Sequence, residues 1–142
     1  MKAGAPQSPC PCGRLNACAK APLAYAACCG RWLESADGAS ATLPPDAESL
    51  MRSRYSAFVL EREAYLLGSW AASHRPAGIA FEPGVKWLGL DVRSHRPTGA
   101  HTAEVEFVAR QKPAYGAAVR LHERSRFVCE HGRWLYVEGD AL

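Results

Sequence analysis

The sequence predicts an α+β protein: two helices, then about four antiparallel strands, led by a small cysteine-rich segment. Three observations carry this expectation. Apolar residues recur at helical spacing after Asp46, the period changes to two from Val85, and five of the six cysteines fall between Cys10 and Cys29. The 142 residues are 48% hydrophobic and 22% charged, the composition of a chain that folds around a core. Wholesale disorder is excluded on that ground.

The chain divides near Pro44-Pro45. Residues 1–45 hold five cysteines, six of the ten prolines and only two acidic residues, Glu34 and Asp37. So few large apolar side chains cannot order a segment without a staple. Residues 46–142 hold 13 basic and 12 acidic residues and carry their own apolar patterns. The two units expected are therefore 1–45 and 46–142, the second folding on its own. Trp32 and Leu33, just after the cysteines, are the residues that would couple them.

Asp46 opens the first helix as an N-cap after two prolines, with Glu48 near the positive end of the helix dipole. Met51, Tyr55, Phe58 and Val59 share one face. Ala64 to Trp70 reads as a second helix, closed by His74-Arg75-Pro76, and Phe81 to Gly84 as a turn. In the first strand Leu88, Leu90 and Val92 alternate with Gly89, Asp91 and Arg93. Val105 and Phe107 alternate with Glu104 and Glu106. Residues 115–129 form a longer strand with Val119, Leu121 and Phe127 on one face. His131-Gly132 is a hairpin turn, and Trp134 to Val137 the returning strand.

Cys10-Pro11-Cys12-Gly13 and Cys28-Cys29-Gly30 form a metal-ligand pattern. Two thiolates two residues apart reach one ion where the backbone turns tightly, as Gly13 permits, and the adjacent pair completes four ligands. A structural zinc held by Cys10, Cys12, Cys28 and Cys29 is the expectation, with Arg14, Lys20 and Arg31 placed to offset its charge. Cys18 is a surplus thiol that could replace one of the four. Free thiols or a redox switch are the alternatives, but no Cys-x-x-Cys follows a strand. Cys129, far along the chain, is expected to be a buried free thiol.

These residues also carry a resemblance. Cys10-Pro-Cys-Gly13 with Tyr25-Ala-Ala-Cys28-Cys29-Gly30 resembles the SEC-C zinc motif known from the SecA translocation ATPase. The stretches Leu50 to Phe58, Trp87 to Leu90, Val105 to Arg110, His122 to Phe127 and Gly132 to Tyr136 resemble the bacterial YchJ family along nearly the whole chain. The resemblance implies a zinc knuckle joined to a cone-shaped domain of the nuclear-transport-factor-two-like (SnoaL-like) class, with helices on a curved antiparallel sheet. The gap between Cys12 and Cys28 is longer than the usual motif. Ala71 follows Trp70 where family members carry a histidine, so no catalytic role is carried over.

Folds of this class use the cone for ligands, catalysis or pairing, so the fold alone does not choose a function. The pocket candidates are Tyr55, Trp70, His74, Glu123 and Arg124, with His122 and Arg126 as further polar residues. His122 and Glu123 are adjacent on a strand and face opposite ways, so a dyad would need His74 with Glu123. Arg52 and Arg54 read as solvated or ion-paired helix residues, and Tyr55, Trp70, Trp87 and Trp134 as core.

The leading expectation is a zinc-binding interaction module, with a small-molecule binder or enzyme as the alternative. By analogy to SecA, the partner would be a chaperone or the ribosome, and a homodimer through the open face of the sheet is a further expectation. The formal charge of +3 argues for no nucleic-acid partner. The apolar run from Ala21 to Gly30 falls short of the ~20 residues a membrane span needs, and no export signal follows Met1 and Lys2. A cytoplasmic location is the resulting expectation.

Overall fold

A computed structural model describes residues 4–35 and 43–142. The reading of Met1 and Lys2, and part of the linker before Pro44, therefore lie outside the described residues. Three helices, α1 (Gly30–Leu33), α2 (Ala47–Val59) and α3 (Glu63–Gly68), precede four strands. These are β1 (Lys86–Gly99), β2 (Thr102–Lys112), β3 (Val119–Glu130) and β4 (Arg133–Ala141). The strands form one antiparallel sheet in chain order, β1-β2-β3-β4, and α2 packs across β1, β2 and β4. The α+β class is thus the observed one. No described helix is long and apolar enough to cross a membrane.

Helix α2 begins where the capping signal places it. The Asp46 carboxylate accepts a hydrogen bond from the Ser49 amide at 2.7 Å, satisfying one of the first-turn donors. Leu60 and Glu61 end the helix, the latter at φ 56°. The second helix is shorter than its apolar pattern suggests and stops at Gly68. Trp70 is instead taken up by the sheet edge: the Tyr136 amide donates to Ser69 at 2.8 Å and the Ala71 amide to Tyr136 at 2.7 Å. Backbone pairing with β4 outcompetes another helical turn.

The sheet follows the expected alternation apart from register shifts, three along β1–β2 and one in β3–β4. Trp87 pairs with Gln111 and Gly89 with Arg110, so β1 holds an extra residue between them. This bulge reverses the facing of what precedes it. Trp87, Leu90 and Val92 pack on the core, and Leu88, expected inward, is 49% exposed. The third strand starts at Val119, and Tyr115 lies outside it, exposed. The β3–β4 turn is tight, as the His131-Gly132 pair predicts. Both residues have positive φ, 54° and 78°, the geometry that matches the right-handed twist of a two-residue hairpin.

One cluster of buried residues joins the two parts of the chain. Cys10, Cys12, Tyr25, Cys28 and Cys29 pack with Leu50, Met51 and Tyr55 of α2 and with Val105, Phe107 and Phe127 of the sheet. Leu33 packs against the same cluster, and Trp32 is buried. Cys129 is only partly buried, because it lies near the end of the β3–β4 pair, opposite Trp134. Replacing Asp46 by Ala should cost about 1 kcal/mol, the usual loss on removing a carboxylate cap. Urea unfolding followed by circular dichroism reads that loss directly.

Candidate functional site

The cysteine cluster is built from two short backbone devices. A small hairpin brings Pro9 beside Ala24 and Leu15 beside Pro22. Its first turn carries Cys10 and Cys12, and Gly13, at φ 73°, donates its amide to the Cys10 carbonyl at 3.0 Å. The second device is the 3-10 turn Tyr25–Ala27 running into α1, with Cys28 and Cys29 at the junction. A side chain at Gly30 would press to within 2.7 Å of the Tyr25 carbonyl, so only glycine allows this close passage. Tyr25 itself is buried and donates to Glu34 at 2.8 Å, and Arg62 holds Glu34 at 2.7 Å.

The four sulfurs converge. Those of Cys10, Cys12, Cys28 and Cys29 lie within 4.8 Å of one another, and all four residues are buried. Cys12 and Cys28 approach to 3.6 Å. Cys18 is exposed and outside this cluster, toward the tip of the hairpin. Hydrogen bonding among the sulfurs pushes the Cys10 thiol down, chiefly through Cys12, and the Cys29 thiol up, chiefly through Cys10. Four buried thiols in contact share protons in this way. Ionising all four needs a bound cation.

Helix α2 supplies the surroundings of the cluster. The Cys10 sulfur sits 3.6 Å from the Ser56 hydroxyl. Arg52 donates to the Cys12 carbonyl at 3.1 Å while pairing with Glu48 at 2.8 Å. Arg14 donates to the Ser49 hydroxyl at 2.8 Å. Of the three cations expected to offset the charge, Arg31 donates to the Cys28 carbonyl at 3.0 Å, and Lys20 is exposed near the hairpin tip. Arg52, read from sequence as solvated or ion-paired, pairs with Glu48 and, with Arg14, ties the cluster to the helix.

The second feature is a cavity of about 470 Å³ between α2 and the inner face of the sheet. Tyr55, Trp70 and Glu123 line it; His74 and Arg124 do not. His74 is exposed and faces Glu138 at 3.6 Å, so a dyad with Glu123 does not form. Arg124 points to the outer face, where it pairs with Glu106 at 3.1 Å, because β3 alternates and Glu123 takes the inner position. His122 and Arg126 are on that outer face too, with Glu106 at 2.8 Å and Asp140 at 2.7 Å.

The cavity holds Arg54, expected to be solvated or ion-paired, which is neither solvated nor within salt-bridge distance of a described carboxylate. Arg54 is 5% exposed. Its guanidinium lies between the Trp70 and Tyr136 rings, 4.8 and 4.6 Å from their centroids. Burial pulls it down to about 10. The signal was present: Met51, Arg54, Tyr55 and Phe58 are spaced three, one and three residues apart, so Arg54 belongs to the apolar stripe. Aromatic pairs close the rest of the wall, Tyr55 edge-on to Trp87 at 5.5 Å and Phe127 to Tyr136 at 5.7 Å.

Helices laid on an open antiparallel sheet, with a four-cysteine cluster ahead of them, define a cysteine knuckle joined to an α+β domain. A family model described as the middle NTF2-like domain of YchJ matches residues 46–139. A UPF0225 protein of Polaromonas sp. strain JS666 is 65% identical over 135 residues, 95% of this chain and 94% of that protein. A UPF0225 protein of Bordetella pertussis is 51% identical over 140 residues, 95% of this chain and 96% of its own length. Two solved structures are similar as well. The solution structure of a SEC-C motif containing protein from Rhodopseudomonas palustris has a TM-score of 0.74 at 29% identity, covering 87% of this chain and 95% of that one. The crystal structure of a SEC-C motif containing protein from Psychrobacter arcticus has a TM-score of 0.77 at 28% identity, covering 94% of this chain and 82% of that one. The chain belongs to the YchJ (UPF0225) family.

Four tyrosines, Tyr25 and Tyr55 buried and Tyr65 and Tyr136 partly buried, set an alkaline limit on the fold. Burial pushes Tyr55, Tyr65 and Tyr136 up to about 12 from an ordinary 10. A raised folded value means stability present below 10 and lost as pH rises toward 12. Burial raises Tyr25 in the same direction. Arg54 has the opposite sign, because a buried cation is relieved by losing its proton, but it is one group against four. Stability should therefore fall between pH about 10 and about 12, in step with tyrosinate absorbance; a flat profile there would contradict the burial.

Proposed function

We propose that the cysteine cluster binds one structural zinc and that the knuckle it orders is a docking element for a protein partner. The supporting observation is the geometry of the four buried sulfurs. A tetrahedral thiolate site with Zn–S of about 2.3 Å has S···S edges of about 3.8 Å. Cys12 and Cys28 are 3.6 Å apart, and all four sulfurs fit within 4.8 Å. Four protein thiolates leave no open position for a substrate, which makes the role structural.

The docking part rests on what the zinc would order and on the likeness to SEC-C proteins. The hairpin tip projects from the cluster, with Leu15 50% exposed and Cys18 and Lys20 beside it in sequence. A chaperone or the ribosome is the proposed partner class, by analogy to the SecA motif. The location proposed is the cytoplasm.

Metal analysis tests the first part. The purified chain should carry about one zinc, Cys28→Ser should carry almost none, and Cys18→Ser should keep it. Full zinc in Cys28→Ser would remove the assignment. Because the cluster shares its core with α2, metal loss should also lower the unfolding midpoint of the β-sheet signal. For the second part, the zinc-loaded chain should co-sediment with purified bacterial ribosomes or bind a purified export chaperone. Leu15→Ser should weaken that binding several-fold without losing zinc. Failure to bind either partner would defeat the docking reading and leave the zinc site standing.

A further inference from the structure

The cavity beside α2 is independent of the metal centre and of any docking role. Its volume of about 470 Å³ falls within the roughly 300–1,000 Å³ of small-molecule sites. Tyr55, Phe58, Trp87, Phe107 and Phe127 give it an aromatic wall, suited to a flat or branched apolar body. The polar groups decide what else such a body would carry.

Arg54 is the decisive one. Both of its hydrogen bonds come from Nη1, to the Leu66 carbonyl at 2.8 Å and the Ser69 hydroxyl at 2.6 Å. Nε and Nη2 find no acceptor among the described residues, and no described carboxylate lies within ion-pair distance of the guanidinium. Unlike the Trp70 indole nitrogen, these atoms are not sealed off, so they open onto the cavity, where an acceptor would complete the fork. The fork matches the two oxygens of a carboxylate. The Trp70 indole N–H is buried without a partner, and Trp70 lines the same cavity.

Glu123 is the opposing charge. Its carboxylate accepts from the Ser125 hydroxyl and from Tyr136 at 3.4 Å, and it lies over Gly139 in space that a side chain there would fill. Glu61 and Glu82 also line the cavity. With Glu123 and Glu82 facing the same space as Arg54, a multiply charged anion such as a phosphate ester is disfavoured. A single negative charge, held by Arg54 and kept apart from Glu123, is the charge the cavity accommodates.

We propose that this cavity binds a small monocarboxylate with an aromatic or branched apolar body, its carboxylate paired with Arg54 and its body against Tyr55 and Trp87. The probes are 2-naphthoate, the neutral 2-naphthamide and the cationic 2-naphthylmethylamine, titrated into the full-length chain by NMR. The naphthoate should bind about tenfold or more tightly than either neutral or cationic probe, the range of a lost charge-assisted pair. Shifts should centre on Trp70 and Trp87. Arg54→Met should erase the preference for naphthoate over the amide. Glu123→Gln should tighten naphthoate, by removing a like charge. Leu121→Trp, at an exposed position on the cavity rim, should weaken every probe that binds.

Because Arg54→Met strips buried hydrogen bonds from the Leu66 carbonyl and Ser69, the ligand series on the unaltered chain and on Leu121→Trp decides independently. Equal or tighter binding of the amide or the amine would overturn the carboxylate assignment. No binding by any probe, or binding unaffected by Leu121→Trp, would overturn the site.

Discussion

Helix α2 is enclosed on two sides, and the rest of the structure is arranged about that enclosure. One side carries Ser49, Ser53 and Ser56, spaced four and three residues apart, all buried. They meet Arg14, Tyr65 and Cys10 in turn. Small hydroxylated residues let the knuckle approach the helix closely and still satisfy polar groups at the contact. The other side carries Met51, Arg54, Tyr55 and Phe58 toward the cavity. A helix polar in composition is thus buried almost all round, which an amphipathic reading does not anticipate.

This explains what was legible in the sequence and what was not. The cysteine set was legible because four thiols close in the chain, spaced around turns that Gly13 and Gly30 permit, have few ways to fold except together. The cap at Asp46 and the turn at His131-Gly132 were legible because local backbone geometry selects those residues. The facing of Leu88 was not, since a bulge is decided by pairing with β2, a partner more than twenty residues away in sequence. The end of the second helix was lost for the same reason: β4 captures Ser69 to Ala71. Arg54 was misjudged by residue type, although its position on the stripe was visible. His74 and Arg124 were drawn toward the cavity by chemistry alone, and strand alternation places Arg124 on the opposite face.

The two faces of the sheet divide the charge. The outer face is a ladder of opposite charges across strands: Arg96 with Glu104, His122 and Arg124 with Glu106, Arg126 with Asp140. Such exposed pairs contribute little to stability, but they keep that face wetted and mark register. The inner face holds its polar groups at least partly buried, where the same chemistry acts more strongly. Arg124 and Arg54 therefore differ in consequence, although both are arginines near a glutamate.

The order of elements along the chain has a bearing on synthesis. All four sulfurs of the cluster lie within the first 29 residues, and the helix that covers them, α2, begins at Ala47 after α1. The sheet then adds its strands in sequence order, each beside the one before it. A chain emerging from its N-terminus completes the knuckle and α2 before the first strand has a partner. Folding can proceed as a succession of short loop closures. The cavity is the last feature to form, because its far wall includes Tyr136 of β4.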